Sequence, residues 1–427
     1  MQQTLEKIGK QVFYKRLQQK MTQEELCQGI CSVSYLSKIE NGKIEASEEI
    51  LQLLCARLEI AVSDLRDVEE EVKEKLDDWL NALVHLDKQQ VERIYNELQS
   101  EMKNVLDFEI INYYNLLYTR YLIMKRDLPA LEEELEKLKK MYKKYSPFQK
   151  LLYTYSRALL YCMQYKYKYK QALEHLLKTE SMAKEQGYYE TGIYYNLALT
   201  YSQMEIDHMT LYFANVALEG FRNEYKFRHV INCQLLIAFS YIRKKQYSEA
   251  MGIYNHILRE ADSFADKDNI MSIALNNMGY LYYRQNNYEK AKEYYLEGLQ
   301  YKKEEDLNYI DAMYEISLQC IQLKEFEEAR GWIEKGISAA RKDDRYKSML
   351  HLLLILQYKY YGKKEVYKKF LEIEAVPFFK GEKNMKDLKK VYLELAEYFE
   401  ESSEFQESNR YYKLAIMLLE EEGGVIV

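Results

Sequence analysis

The chain is 427 residues long, carries a net charge of −7, and holds only 3 Pro and 15 Gly against 43 Tyr. So few loop-forming residues exclude a chain built of many tight turns and strands. They predict an all-α protein of helices joined by short connections, long enough for several domain-sized units. The acidic balance excludes a protein that coats nucleic acid with a global basic field, and apolar stretches such as Leu352–Leu356 are far too short to cross a bilayer. The six cysteines (Cys27, Cys31, Cys55, Cys162, Cys233, Cys320) are scattered, without a CxxC pair or a disulfide framework. With no secretory leader they read as reduced thiols of a soluble, cytoplasmic protein with no membrane partner.

Residues 1–66 hold nine Lys and Arg against nine Asp and Glu, so contact with a polyanion there must be a local patch. An amphipathic helix is expected over Leu5–Gln18, with Leu5, Ile8, Val12 and Phe13 facing inward. Thr22 followed by Glu25 three residues on is a capping box, opening a short helix from Gln23 to about Gln28. Gly29-Ile30-Cys31 makes a tight turn, and Ser32 or Ser34 caps a second helix that ends near Asn41-Gly42. A further helix starts at Ser47, with Ile50, Leu51, Leu54 and Leu58 as its buried stripe. Two short helices joined by a tight turn form a helix-turn-helix unit, whose second helix enters the major groove of DNA with its N-terminal residues at base edges. Val33, Ser34 and Lys38, with Tyr35 beside them, are therefore base-edge candidates; Lys donates to guanine O6 and N7, and Val packs on a thymine methyl. Gln23, Ser32, Asn41 and Lys43 suit phosphates, which position a protein without reading sequence. Lys7, Lys10, Lys15, Arg16 and Lys20 add a basic face to the first helix. Cys27 and Cys31 lack the partners of a zinc site, and Cys27 reads as a small core residue.

The segment Val62–Lys75 is rich in acids and free of Gly and Pro, which predicts a stiff helical connector. It separates an N-terminal domain of residues 1–62 from a repeat domain of residues 76–427, with the linker itself at 63–75. The clearest repeat unit is Leu275–Gly298, LNNMGYLYYRQNNYEKAKEYYLEG, where Gly279, Ala291 and Gly298 place small residues at the contact of paired helices. Taking Gly279 as reference, equivalent positions fall at Tyr118, Ala158, Ala198, Ala238, Ser317, Leu356 and Ala396, 38 to 41 residues apart. The second helix repeats as Ala250, Ala291 and Ala329, each with an aromatic three residues before it. That makes about eight helix pairs from residue 108 onward, with Val72–Lys103 as an atypical ninth. Such a stack is an α-solenoid, expected to be a right-handed superhelix with a concave face lined by the first helix of each pair. Asn side chains there can hydrogen-bond a peptide backbone, which nominates Asn112, Asn115, Asn196, Asn232, Asn276 and Asn277, with Tyr195, Tyr280 and Tyr283 as neighbours. Arg243 and Arg284 can hold a carboxylate, and Asp311 an amine. The basic aromatic run at Lys166–Lys170 reads as a solvated turn. The chain has no HExxH, GxGxxG, GxxxxGK[ST] or GxSxG, so no catalytic site and no cofactor are expected.

Several of these segments carry resemblances. TQEEL at Thr22–Leu26, SYLSKIENGK at Ser34–Lys43 and LCARLEI ending at Ile60 resemble the Cro and phage-repressor helix-turn-helix family, with a turn one residue shorter than in some repressors. The unit around Gly279 resembles the tetratricopeptide repeat, on a period longer than the usual ~34 residues. Together they resemble the RRNPP family of peptide-sensing regulators, in particular its NprR and PlcR branch. That resemblance implies promoter DNA and a short signalling peptide as partners, a homodimer or higher homo-oligomer, and in some relatives a response regulator of a sporulation phosphorelay. Two other readings stay open from residues alone: a protein-binding adaptor whose helix-turn-helix is vestigial, and a regulator that senses a partner protein.

Overall fold

The computed structural model describes residues 9, 11–13, 15–17, 19–44, 46–60, 62–105, 107–164, 168–304, 308–382 and 384–422. Among these residues every regular element is helical. The chain divides into two compact units, Met1–Ser156 and Arg157–Val427.

In the first unit, residues 9, 11–13 and 15–17 are helical (α1) and are followed by α2 (Gln23–Cys27), α3 (Val33–Glu40) and α4 (Glu48–Arg57). The capping box at Thr22 is formed in both directions, and Ser32, not Ser34, caps α3. Gly29 and Gly42 take left-handed backbone (φ 72° and 65°), which a residue without Cβ adopts at no steric cost. Val12, Leu26, Cys27, Leu36, Ile39, Leu51, Leu54, Cys55 and Leu58 close one core, so Cys27 is the packing residue expected of it. Leu5, Ile8, Lys7 and Lys10 lie outside the described residues, whereas Arg16 is buried and leaves the predicted basic face. After α4 the chain runs into α5 (Val62–His85), a single helix of 24 residues that includes the whole predicted linker. It pairs with α6 (Lys88–Glu101), giving the atypical ninth pair, and α7 (Phe108–Lys125) pairs with α8 (Leu128–Lys139). Trp79 of α5 is fully buried among the rings of Tyr95, Tyr114 and Tyr121.

The first pair that enters the second unit is α9 (Pro147–Met163) with α10 (Tyr169–Glu185). The next pairs are α11 (Thr191–Gln203) with α12 (Asp207–Asn223), α13 (Phe227–Arg243) with α14 (Tyr247–Glu260), and α15 (Lys267–Arg284) with α16 (Tyr288–Leu299). Then come α17 (Tyr309–Gln322) with α18 (Phe326–Ala340), and α19 (Lys347–Tyr361) with α20 (Lys364–Phe370) and α21 (Val376–Gly381). The last pair is α22 (Met385–Glu401) with α23 (Phe405–Glu422). A π-helical turn, Leu371–Ala375, joins α20 to α21 directly before Pro377, which has no N–H to continue the α pattern. Residues 165–167, in the basic run, and the C-terminal Gly-Gly-Val-Ile-Val lie outside the described residues.

The pairs close by one repeated device. Leu86, Arg126, Glu205, Lys245, Asn286, Lys324 and Ser403 each end a first helix in left-handed backbone, with φ between 57° and 62°. The next residue donates its N–H five residues back, as in Gln246 to Tyr241 at 2.8 Å and Asn287 to Tyr282 at 2.9 Å. This is the Schellman closure. Several of these next residues then cap the second helix, among them Asp87, Asp127 and Asn287. The small reference residues sit where the paired helices touch. Ala158, Ala198, Ala238, Ser317 and Ala396 have no exposed surface, and a Cβ on Gly279 would stand 2.8 Å from the Tyr295 ring.

A paired substitution tests this contact. Gly279→Ala forces its methyl into a ring with no room to move, and is expected to cost about 1–3 kcal/mol. Gly252→Ala, on α14 where an added Cβ meets nothing within 4 Å, is expected to be neutral or to add about 0.5–1 kcal/mol. Thermal melts with hydrogen exchange of α15 and α16 check both; equal effects would show that the Gly279 contact does not limit the pair.

Candidate functional site

On the helix-turn-helix unit, the outward face of α3 carries Val33, Ser34 and Lys38, all exposed, while Tyr35 leans partly onto the core. The fold thus brings three of the four base-edge candidates to one surface. The phosphate candidates divide. Lys43 is exposed, beyond the helix end. Ser32 is exposed, and its hydroxyl accepts the Tyr35 N–H. Asn41 closes the helix by donating its amide to the Ser37 carbonyl at 2.6 Å. Gln23 turns inward and donates to Glu40 Oε2 at 2.6 Å.

Glu40 is the buried centre of this unit. Arg16 donates to it twice, Nε at 2.7 Å and a second guanidinium nitrogen at 3.1 Å, and gives a further hydrogen bond to the Met21 carbonyl at 2.9 Å. Both side chains are almost wholly removed from solvent, so α1 and α3 are held by a fork-to-carboxylate pair. Neither residue was nominated as a pair from sequence, because they lie 24 positions apart. Arg57 is another omission: it donates to the Leu26 carbonyl at 3.1 Å and places its charge on the carbonyl end of α2.

In the repeats of the second unit, an aromatic row runs over the first helices. Phe239 of α13 stacks on Tyr280 of α15 at 5.6 Å, and Tyr280 on Tyr283 at 6.2 Å. Tyr195 lies partly buried on α11 against Phe221, and desolvation lifts its hydroxyl to about 12. The polar candidates are drawn into the fold more than expected. Arg243 spends its fork on Asp207 Oδ1 (2.7 Å) and on the Ser202 carbonyl (2.9 Å), tying α13 to the pair before it. Arg284 donates to the Tyr280 hydroxyl at 2.8 Å, and Arg228 donates to Asn232. Asn196 donates to the Gly192 carbonyl at 2.7 Å. Asn276 turns toward α16, where its Oδ1 would lie 2.9 Å from a Cβ on Gly298. Asn277 lies beside the buried Tyr254 hydroxyl. In the first unit, Asn112 is buried and Asn115 partly buried on α7. Asp311 is partly buried on α17, and burial raises its carboxyl. Glu315, which sequence reasoning passed over, follows one turn on, and burial raises its carboxyl to about 7.

One cluster has the look of a metal site: Cys320, Glu325 and Glu328 bring their ligand atoms together. The Lys292 ammonium occupies its centre, 2.6 Å from Glu325 and 2.7 Å from Glu328, and the carboxylates raise it above the ordinary lysine range. It is an ion-pair staple between α16 and α18.

Comparison with known proteins follows the same division of the chain. A helix-turn-helix family model matches residues 13–65, and a tetratricopeptide-repeat model matches residues 230–304. The chain is 63% identical to the apo form of the quorum sensor NprR from B. thuringiensis, with a TM-score of 0.73, over 83% of this chain and 100% of that one. It is likewise 63% identical to NprR solved in complex with its cognate peptide NprX, with a TM-score of 0.69, over 82% of this chain and 99% of that one. It is 27% identical to the transcriptional activator NprA of Geobacillus stearothermophilus, over 92% of this chain and 98% of that protein. Fold and site thus define a helix-turn-helix protein with tetratricopeptide repeats. The chain belongs to the RRNPP family, in which it stands with NprR. No described helix is long and apolar enough to cross a membrane.

The buried pair gives a test of this unit. Glu40→Gln leaves the Arg16 charge without its counter-charge, and is expected to cost the N-terminal helices about 3–5 kcal/mol. Loss of amide protection confined to α1 to α4 in hydrogen exchange would show it; unchanged protection would mean that the pair is not what holds α1 to α3.

Proposed function

We propose that this protein is a cytoplasmic transcription regulator without catalytic activity of its own. It binds operator DNA through α3 and a short signalling peptide along the first helices of its repeats. DNA binding belongs to residues 1–62, the connector to 63–75, and peptide sensing to 76–427, and the protein acts as a homodimer or higher oligomer. The observation that carries the reading is the 63% identity to a quorum sensor also solved with its cognate peptide, in a chain that adds a helix-turn-helix match at residues 13–65. The likeness to a transcriptional activator supports the same output.

On DNA, Ser34, Val33 and Lys38 take base edges, with Tyr35 at their side; Lys43 and the exposed caps Ser32 and Asn41 take phosphates. Gln23 acts indirectly, by holding Glu40. Half-sites about 34 Å apart match two recognition helices of a dimer. Along the repeats, the row Phe239, Tyr280 and Tyr283, together with Tyr195 on α11, offers apolar area with hydroxyl tips, which suits a short extended peptide. The peptide shifts the regulator between states only by its differential affinity for them.

Footprinting on the promoter with and without synthetic NprX tests the proposal. A changed pattern of protection is expected, and identical protection in both would sink the switch. Lys38→Ala and Ser34→Ala should each weaken operator binding by about 1–3 kcal/mol and relax specificity at one base pair. Lys43→Ala should weaken binding evenly across sequences and reduce the salt slope by about 1. Measured salt titrations separate the two classes.

A further inference from the structure

Residues 1–66 have no net charge, and the helix-turn-helix unit spends two of its bases internally: Arg16 on Glu40, and Arg57 on the carbonyl end of α2. What is left there carries no positive excess for a polyanion. Such an excess lies elsewhere in the first unit. From Lys137 to Ser156 the chain holds six lysines and no Asp or Glu, in a protein of net charge −7.

Local structure explains part of this run. Lys137, Lys139 and Lys140 suit the carbonyl end of α8, and Lys137 is paired with Glu133 at 2.9 Å. Lys143 and Lys144 lie beyond that helix, in a 3-10 turn at Tyr142–Lys144. Lys140, Lys143 and Lys144 are exposed, and none pairs with an acid of the described residues. The turn itself is tied down. Tyr145 is buried and its hydroxyl donates to the Leu138 carbonyl at 3.1 Å; the Tyr142 ring packs on Tyr153 at 5.2 Å; the Lys144 N–H bonds the Met141 carbonyl at 2.8 Å. Three uncompensated like charges on one fixed corner repel one another until an anion neutralises them.

The order of the helices sets which end of the bundle carries this corner. Lys75, midway along α5, bonds Glu101 in the last turn of α6, so the first half of α5 projects past that pair toward α4. Tyr113 of α7 donates to Asp77 of α5 at 2.8 Å, and Gln149 of α9 donates to the Glu109 carbonyl of α7 at 2.9 Å. The starts of α7 and α9, and with them the corner between α8 and α9, thus lie at the end of the bundle that leads to the helix-turn-helix unit. The stretch of α5 before Lys75 is about 20 Å long at ~1.5 Å per residue, less than one turn of duplex at about 34 Å.

We propose that Lys140, Lys143 and Lys144 form a second phosphate-binding surface, which takes the backbone of duplex DNA flanking the half-site held by α3. This surface rests on the DNA-binding reading. It supplies the positive charge that the neutral helix-turn-helix unit lacks, and it adds affinity without reading sequence.

The test is a salt titration on the full chain, in whichever state, with or without NprX, protects the promoter. One duplex is trimmed to the two half-sites, and a longer one carries about ten further base pairs on each side. For the Lys140→Gln, Lys143→Gln, Lys144→Gln variant on the long duplex, the slope of log affinity against log salt is expected to fall by about 2 to 3. Affinity at about 0.15 M salt is expected to fall about 10- to 100-fold. On the trimmed duplex the variant is expected to match wild type, and the Lys140→Arg, Lys143→Arg, Lys144→Arg variant is expected to keep the wild-type slope on both. Equal slopes for wild type and the glutamine variant on the long duplex overturn the surface and leave DNA binding by α3 standing. An equal loss on both duplexes overturns it too, because the effect then lies at the half-sites. If wild type binds neither duplex more tightly than scrambled DNA, the surface falls with the DNA-binding reading.

Discussion

Two antiparallel helices pair most closely where one of them presents little more than backbone, and this chain meets that condition every 38 to 41 residues from Ala158 to Ser317, and again at Ala396. At Gly279 the space of a missing methyl is filled by the Tyr295 ring; at Ala198, Ala238 and Ala396 the methyl itself is fully enclosed. The abundance of tyrosine follows from the same geometry. A ring opposite a small residue fills the gap across the pair, as Tyr295 does at Gly279, and other tyrosines tie one pair to the next, as Tyr247 does in donating to the Arg284 carbonyl. The second requirement is a connection short enough to keep the pair antiparallel. A left-handed residue followed at once by the cap of the next helix is the shortest solution. Filling that position with Arg, Lys, Glu or Leu costs roughly 1 kcal/mol each, which the packing of the pair outweighs.

Pair stacks on pair through charges placed about one repeat apart. Arg243 reaches back 36 residues to Asp207, Arg228 forward 38 to Asp266, and Lys359 forward 35 to Glu394. Lys292 does the same between Glu325 and Glu328, and in doing so fills what would otherwise be three clustered metal ligands. The ties made by Arg243, Arg228 and Lys359 each use up a charge on a first helix. What remains on α13 and α15 includes the stacked rings of Phe239, Tyr280 and Tyr283.

The period of small residues, the capping box at Thr22 and the glycine stops could be read directly from the sequence, because each expresses a local rule over a few positions. The positions of the helix-turn-helix and of the pairs followed from them. The buried Arg16–Glu40 bond could not be read this way, since no local rule links residues 24 apart, and a run of basic residues on α1 made Arg16 look like one more surface charge. The asparagines show a second limit. Asn276 and Asn277 are adjacent, and a helical period assigns a face only to within about one residue. One turns toward Gly298 and the other toward Tyr254, so their common residue type says little about a common ligand. The non-glycine left-handed turns were hidden for a related reason: the tertiary closure sets the backbone there, and residue identity records it weakly.

The joint between α4 and α5 connects the helix-turn-helix core to the long helix that packs on α6 and α7. Leu58 is fully buried in the helix-turn-helix core and fixes the end of α4. Glu59 follows in left-handed backbone at φ 53°, and the Ile60 N–H bonds the Cys55 carbonyl at 3.0 Å. This is the Schellman closure used between paired helices, so the turn is as tightly specified here as in the repeats. Beyond it α5 runs unbroken for 24 residues to His85 and carries Trp79 into the packing with α6 and α7. A helix of that length with no Gly or Pro bends only gently, so a shift in how α6 and α7 pack on Trp79 moves the whole of α5.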